Sequence, residues 1–175
     1  MRNFSVGVIV AVAAIAVGAA VYTRTGFAPV AADQPPGALE EFILGGALDP
    51  SIDRHAPHTP FPLDVNDANL IQGMKLYQMN CAICHGGVDK KPSPMGLSLF
   101  PAAPQFLARH RALDDPGWFT FYEVKHGIRR TGMAPWGKLF ADDDIWKMTM
   151  FLENTENLPP AVQQEIKQSY PSAGE

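Results

Sequence analysis

The stretch that decides the fold is NCAICHGG, residues 80–87. It contains Cys81 and Cys84, the two cysteines of the 175-residue chain, and His85 follows directly. A Cys-x-x-Cys pair can be a redox-active dithiol or half of a zinc site. When a histidine comes next, it can also be the covalent attachment site of c-type haem. The rest of the chain discriminates between these three possibilities.

A zinc site needs four ligands and usually a second ligand pair. The chain has no further cysteine, and its other histidines lack the short paired spacing. A thioredoxin-like dithiol expects alternating strands and helices nearby, which the flanking sequence does not show. Haem attachment is therefore favoured. Cys81 and Cys84 would form thioethers about one helical turn apart, and His85 would bind the iron.

An apolar segment lies near the amino terminus. Residues 5–22 contain no charged side chain, whereas the hydrophobic fraction of the whole chain, 46%, is ordinary for a globular protein. This length is within the range for a membrane-spanning helix and exceeds that of a usual signal peptide. We expect residues 1–24 to be an uncleaved anchor rather than a signal segment cleaved after Ala31 or Ala32. In both cases the rest of the chain is exported.

Charge is unevenly distributed along the sequence. The net charge is −4 overall, but residues 81–140 carry eight basic and four acidic side chains. A mildly acidic protein is an improbable partner for nucleic acid. The basic segment could steer an acidic redox partner, or it could be a solvated surface without such a role.

Proline and glycine divide the chain into segments. Residues 25–65 contain seven prolines and are predicted to form a linker with one short helix in GALEEFILGGAL, ending at Gly45 or Gly46. Residues 66–155 are predicted to form an all-α domain without a convincing strand pattern. Residues 156–175 are predicted to form a tail with a short helix after a proline.

Helical periodicity predicts three helices in this domain. The first begins at Asn66 or Asp67 and carries an apolar stripe from Leu70 to Cys81. The second runs from Asp115 as its cap and Pro116 as its first helical residue to Gly127, which follows its end. The third begins at the acidic run 142–144 and has an aromatic and aliphatic face.

Three segments resemble the class I cytochrome c family in its bacterial, membrane-anchored, monohaem form. They are GMKLYQMNCAICHG, GIRRTGMAPWG and DDDIWKMTMFLEN, and the resemblance covers about residues 66–155. It implies a small helical domain around one covalent haem. It also implies that a first helix with Gly73 and Tyr77 crosses a last helix with Trp146 and Phe151. Gly73 would permit close approach of the two backbones.

Met133 is the predicted sixth ligand of the iron. It lies between Gly132 and Pro135, where an irregular backbone can turn the side chain across a ring, and a thioether suits reduced iron. The loop reads TGMAPWG, whereas the family usually has T-G-M-P-A-W-G. The alternative ligands are Met95, His110 and His126.

Weaker predictions concern the surroundings of the haem. An axial histidine usually donates its second ring N–H to a carbonyl, and the resemblance implies that of Pro94, with Pro92 or Pro101 as alternatives. Three residues could meet the haem propionates, or could be solvated arginines and a core tryptophan: Arg129, Arg130 and Trp136.

Iron held by both His85 and Met133 has no open position for a substrate. We therefore expect a single-electron carrier with one haem c and not an enzyme, anchored in the bacterial inner membrane with the haem domain in the periplasm. A soluble periplasmic form after signal cleavage is the alternative location. Alternative functions are a fixed haem subunit of an oxidase or dehydrogenase, and a haem enzyme or gas sensor with a displaceable sixth ligand.

Overall fold

The computed structural model describes residues 2–27, 30–34, 36–108, 113 and 115–171. Nine α-helices run through these residues and no strand occurs among them, which confirms the predicted all-α class. The helices are α1 (Arg2–Arg24), α2 (Ala38–Leu44), α3 (Leu48–His55), α4 (Asp67–Asn80), α5 (Ala82–His85), α6 (Pro94–Ser98), α7 (Gly117–His126), α8 (Asp142–Glu153) and α9 (Pro160–Ser169). The chain divides into two compact units, residues 1–34 and 35–175.

The first unit contains the apolar helix α1. Its segment Asn3–Arg24 contains an 18-residue window with a mean hydropathy of 2.6, and in the described part of the chain it is the one helix long and apolar enough to cross a membrane. Its valine and isoleucine side chains are exposed. This helix is a candidate membrane anchor or signal sequence.

The core of the second unit is the crossing of α4 and α8. A Cβ atom added to Gly73 would clash with the backbone carbonyl of Lys147, so only glycine permits this approach. One turn further along α4, the ring of Tyr77 lies 5.6 Å from that of Phe151 in α8. Both rings are fully buried. The predicted crossing of these two helices is confirmed.

Helix α7 also packs against α8, where Phe121 stacks on Trp146 at 4.2 Å between ring centroids. The helix begins at Gly117, and Pro116 is the N-cap with an extended backbone (ψ 148°) rather than the first helical residue. It ends before Gly127, whose φ of 66° is in the left-handed region, as the sequence predicts.

The proline-rich stretch contains more helix than the sequence predicts. Helix α2 is followed by Gly45, in agreement with the prediction, but a 3₁₀ turn and helix α3 come next. Pro50 lies in the first turn of α3. A backbone N–H in that turn has no hydrogen-bond partner within the helix, so proline is tolerated there. Ile52 and Ala56 pack against Phe119 of α7, so this stretch contributes to the core.

The predicted tail helix is present as α9, and it packs against α4. Val162 is fully buried in a cluster with Leu70 and Met150. An ion pair of 2.7 Å joins Lys75 Nζ to Glu165 Oε1 at the same contact. The sequence predicts the helix but not its partner, because a contact between distant segments leaves no local pattern.

Candidate haem site

Helices α4, α5, α7 and α8 and their connecting loops surround a cavity of about 260 Å³. Most of the side chains that line it are apolar. Five of the predicted attachment, ligand and propionate-binding residues also line it: Cys81, Cys84, His85, Met133 and Trp136. Segments far apart in the sequence therefore bring the predicted attachment and ligand residues to one cavity.

The cysteines lie on a single helical turn. Cys81 closes α4 by donating its N–H to the Tyr77 carbonyl at 2.7 Å, and its own carbonyl accepts from the N–H groups of Cys84 and His85. Both thiols are free and half-buried. Burial, followed by the charge of the nearby Cys84, raises the pKa of Cys81 to about 12, so this thiol is uncharged at neutral pH.

The ring of His85 is held by a backbone carbonyl and an aromatic side chain. Its Nδ1 lies 2.9 Å from the Pro104 oxygen, and Phe106 stacks on the ring at 4.9 Å. A carbonyl can only accept, so Nδ1 carries the proton and the lone pair lies on Nε2. Burial lowers the pKa of His85, and the bond to Pro104 partly offsets this effect. The imidazole is therefore presented as a neutral ligand.

The prediction that Pro94 supplies this carbonyl is wrong, and its alternatives Pro92 and Pro101 do not supply it either. Pro94 is the first residue of helix α6, and it is exposed. Helix α6 packs against α5, where a Cβ atom at Gly96 would clash with the Cys84 carbonyl, and the acceptor of the His85 ring lies further along the chain at Pro104. Four prolines between residues 92 and 104 look alike in sequence, so the pattern could not identify the acceptor.

A closed loop after α7 carries Met133. Its carbonyl accepts from the N–H of Ile128 at 3.1 Å, and its N–H donates to Thr131 Oγ1 at 3.0 Å. A Cβ atom at Gly127 would lie 2.7 Å from the Met133 oxygen, so glycine is needed there. The side chain of Met133 is half-buried and lines the cavity.

The alternative ligands have different positions. Met95 and His126 are exposed and lie outside the set of cavity-lining residues, and His110 lies outside the described residues. Arg129 and Arg130 are exposed between Ile128 and Thr131, which do line the cavity. Their contact with propionates stays a prediction.

Two polar residues of α7 in the cavity wall are not predicted from the sequence. Burial, followed by the charges of Asp115 and Asp49, raises the pKa of Glu123 to about 7. The hydroxyl of Thr120 is buried and has no hydrogen-bond partner among the described residues. Helical spacing places both on the face of α7 that meets the cavity, but the aromatic residues around them dominate the sequence pattern.

The donor set fits a covalently bound haem. Two thiols one turn apart, an imidazole with a fixed tautomer and a thioether all face one mainly apolar cavity. A family profile described as cytochrome c oxidase, cbb3-type, subunit III matches residues 68–152, roughly half of the chain. Residues 68–152 form a class I c-type cytochrome domain.

Cytochrome domains of this family bind a c-type haem through cysteine thioethers, and the spacing of Cys81, Cys84 and His85 is the one they use. The domain therefore indicates haem-based electron transfer. A comparison with curated proteins gave no significant match.

Proposed function

We propose that this cytochrome is a single-electron carrier of a respiratory chain, with His85 and Met133 as the axial ligands of its haem. One observation carries the proposal: the thioether of Met133 lines the same cavity as the two cysteines and His85. Bound there, the haem would supply a one-electron Fe(III)/Fe(II) couple.

The residues of the chain support electron transfer rather than bond chemistry. The Pro104 carbonyl fixes the His85 tautomer, and the hydrogen bonds of Ile128 and Thr131 hold the Met133 loop closed. With His85 and Met133 as axial ligands, the iron would have no open position for a substrate. The apolar walls exclude water, which reduces the reorganisation that accompanies a change of charge.

The surface next to the attachment site supports docking of an acidic redox partner. Ile83, between the two cysteines, is 68% exposed and also lines the cavity. Lys90 and Lys91 are exposed on the following loop, in the segment with a net charge of +4. We expect electron transfer to slow with increasing salt. A rate independent of ionic strength would contradict a charged docking face.

Helix α1 and the predicted haem attachment support a proposed location. We propose that α1 stays uncleaved and holds the cytochrome domain on the periplasmic side of the bacterial inner membrane. The length and apolar composition of Asn3–Arg24 support a span.

A second candidate is a fixed subunit of a larger oxidase. It is favoured by the description of the matched family, which names an oxidase subunit. The cofactor and ligands would be the same, and the difference lies in the partners. Purification in mild detergent distinguishes the two, because a carrier would be recovered alone and a subunit would be recovered with its complex.

Binding of carbon monoxide tests the proposed function, because it reports whether the sixth position of the iron is open. Reduced wild-type protein should not bind carbon monoxide at neutral pH, because Met133 fills the sixth position. Met133→Ala should bind it readily, whereas Met95→Ala, which changes an exposed methionine, should behave as wild type. Ready binding by the wild type would contradict the carrier and favour a haem enzyme or sensor.

A further inference from the structure

Gln105 is a buried polar residue that the proposed function does not use. Its side chain is 4% exposed and makes three hydrogen bonds to backbone groups. Its Nε2 donates to the carbonyls of Cys84 and Ala103, each at 2.8 Å, and its Oε1 accepts from the N–H of Ser93 at 2.6 Å. A buried amide with its donors and acceptor satisfied is rigid, because every movement would break a bond that water cannot replace.

The partners of this amide are significant because of their neighbours in the chain. Cys84 directly precedes His85, the donor of the ring hydrogen bond, and Ala103 directly precedes Pro104, its acceptor. One side-chain amide therefore ties together the two backbone segments that carry this bond. The relative position of these two backbone segments sets the distance of 2.9 Å between His85 Nδ1 and the Pro104 oxygen.

The surrounding backbone leaves room only for this amide. A Cβ atom at Gly96 would lie 2.8 Å from Gln105 Nε2, and one at Gly86 would lie 3.2 Å from its Oε1. Gly86 directly follows His85, and Gly96 lies in α6, whose N-cap residue Ser93 donates its N–H to the amide oxygen. The backbone next to the hydrogen bond between His85 and Pro104 is thus closely fitted to this amide.

We propose that Gln105 is a positioning residue that holds the Pro104 carbonyl against His85 Nδ1–H and so sets the donor strength of the axial imidazole. The inference rests on the proposed role of His85 as an iron ligand. A stronger Nδ1–H hydrogen bond makes the imidazole a better donor and stabilises oxidised iron. Loosening the bond should therefore raise the reduction potential.

The test compares Gln105→Met with a matched control, Gln78→Met, in the full-length haem-loaded protein. Gln78 also binds a backbone group of this region, accepting from the N–H of Val88 at 2.9 Å, but it does not contact the segment of Pro104. We expect Gln105→Met to favour reduction about threefold to tenfold, and a tenfold change corresponds to 59 mV. Gln78→Met should leave the potential unchanged.

Proton NMR of the His85 ring provides a readout independent of electron transfer. In Gln105→Met the Nδ1–H resonance should shift upfield and exchange faster with water, because its acceptor is less well held. Gln105→Asn, which keeps the amide on a side chain one methylene shorter, should give a smaller change of the same sign.

Three outcomes would overturn the proposal. They are an unchanged potential with an unchanged Nδ1–H signal in Gln105→Met, an equal change in Gln78→Met, and failure of both Gln105 variants to mature while the control matures. The third outcome would assign Gln105 to folding alone. A wild-type spectrum without histidine ligation would instead contradict the proposed function, so the two failures are distinguishable.

Discussion

The residues predicted to attach the haem lie close together in the sequence. Cys81, Cys84 and His85 fall on one turn after α4, and the backbone bonds from the Cys81 carbonyl keep them there. This short spacing fixes the positions of the two thiols and the imidazole relative to one another.

Removal of either attachment residue should prevent covalent attachment of the haem. Acid–acetone extraction of wild-type protein should leave the haem on the polypeptide, because Cys81 and Cys84 hold it by thioethers. Cys81→Ala and Cys84→Ala should yield little haem-containing protein, as judged by haem staining after denaturing electrophoresis. Haem that washes out of the wild type would contradict covalent attachment.

Among the elements, the crossing of α4 and α8 determines the fold of the domain. Gly73→Ala should lower the free energy of unfolding by about 1–3 kcal/mol, because the new Cβ atom clashes with the Lys147 carbonyl. Thermal unfolding followed by circular dichroism measures this. Gly46→Ala is the control, since a Cβ atom there meets nothing within 4 Å. Equal stability of Gly73→Ala and wild type would contradict the close approach.

Helix α7 makes stability depend on pH through Glu123. Burial raises its pKa in the folded protein to about 7, above the ordinary value of 4.5, so the stability it contributes at acid pH is lost as pH rises from 4.5 through 7. Glu123→Gln should therefore stabilise the protein relative to wild type at about pH 8 and much less at about pH 5. Urea unfolding at the two pH values measures the difference.

The matched control is Glu156→Gln, because Glu156 is exposed. It should change stability little at either pH. A gain for Glu123→Gln that is the same at both pH values would show that the residue acts through packing rather than through its charge.

Elements with a strong local pattern could be predicted, and those defined by packing could not. The Asn66 cap, the glycine after α7 and the acidic start of α8 are sequence signals, and each helix is found where they indicate. Helix α3 was missed because Pro50 is read as a breaker unless its place in the first turn is known. The Pro104 acceptor and the Gln105 amide depend on tertiary contacts between segments that the sequence does not pair.

For the whole molecule, the central question is whether α1 anchors the cytochrome domain to the membrane. The mature protein should retain α1 and stay with the membrane fraction after a wash in high salt, because an apolar helix of this length is not released by screening charge. Mass spectrometry of the purified chain checks its amino terminus. A soluble protein that begins near Asp33 would show that α1 is a cleaved signal.

The central claim is that Met133 and His85 together hold the iron, and the far-red spectrum of the oxidised protein tests it most directly. Sulfur ligation to oxidised low-spin haem gives a weak charge-transfer band in that region. Wild-type protein and Met95→His should show the band. Met133→His should lose it, remain six-coordinate and have a lower potential, because imidazole is the better donor to oxidised iron. A band that persists in Met133→His would show that another residue is the ligand.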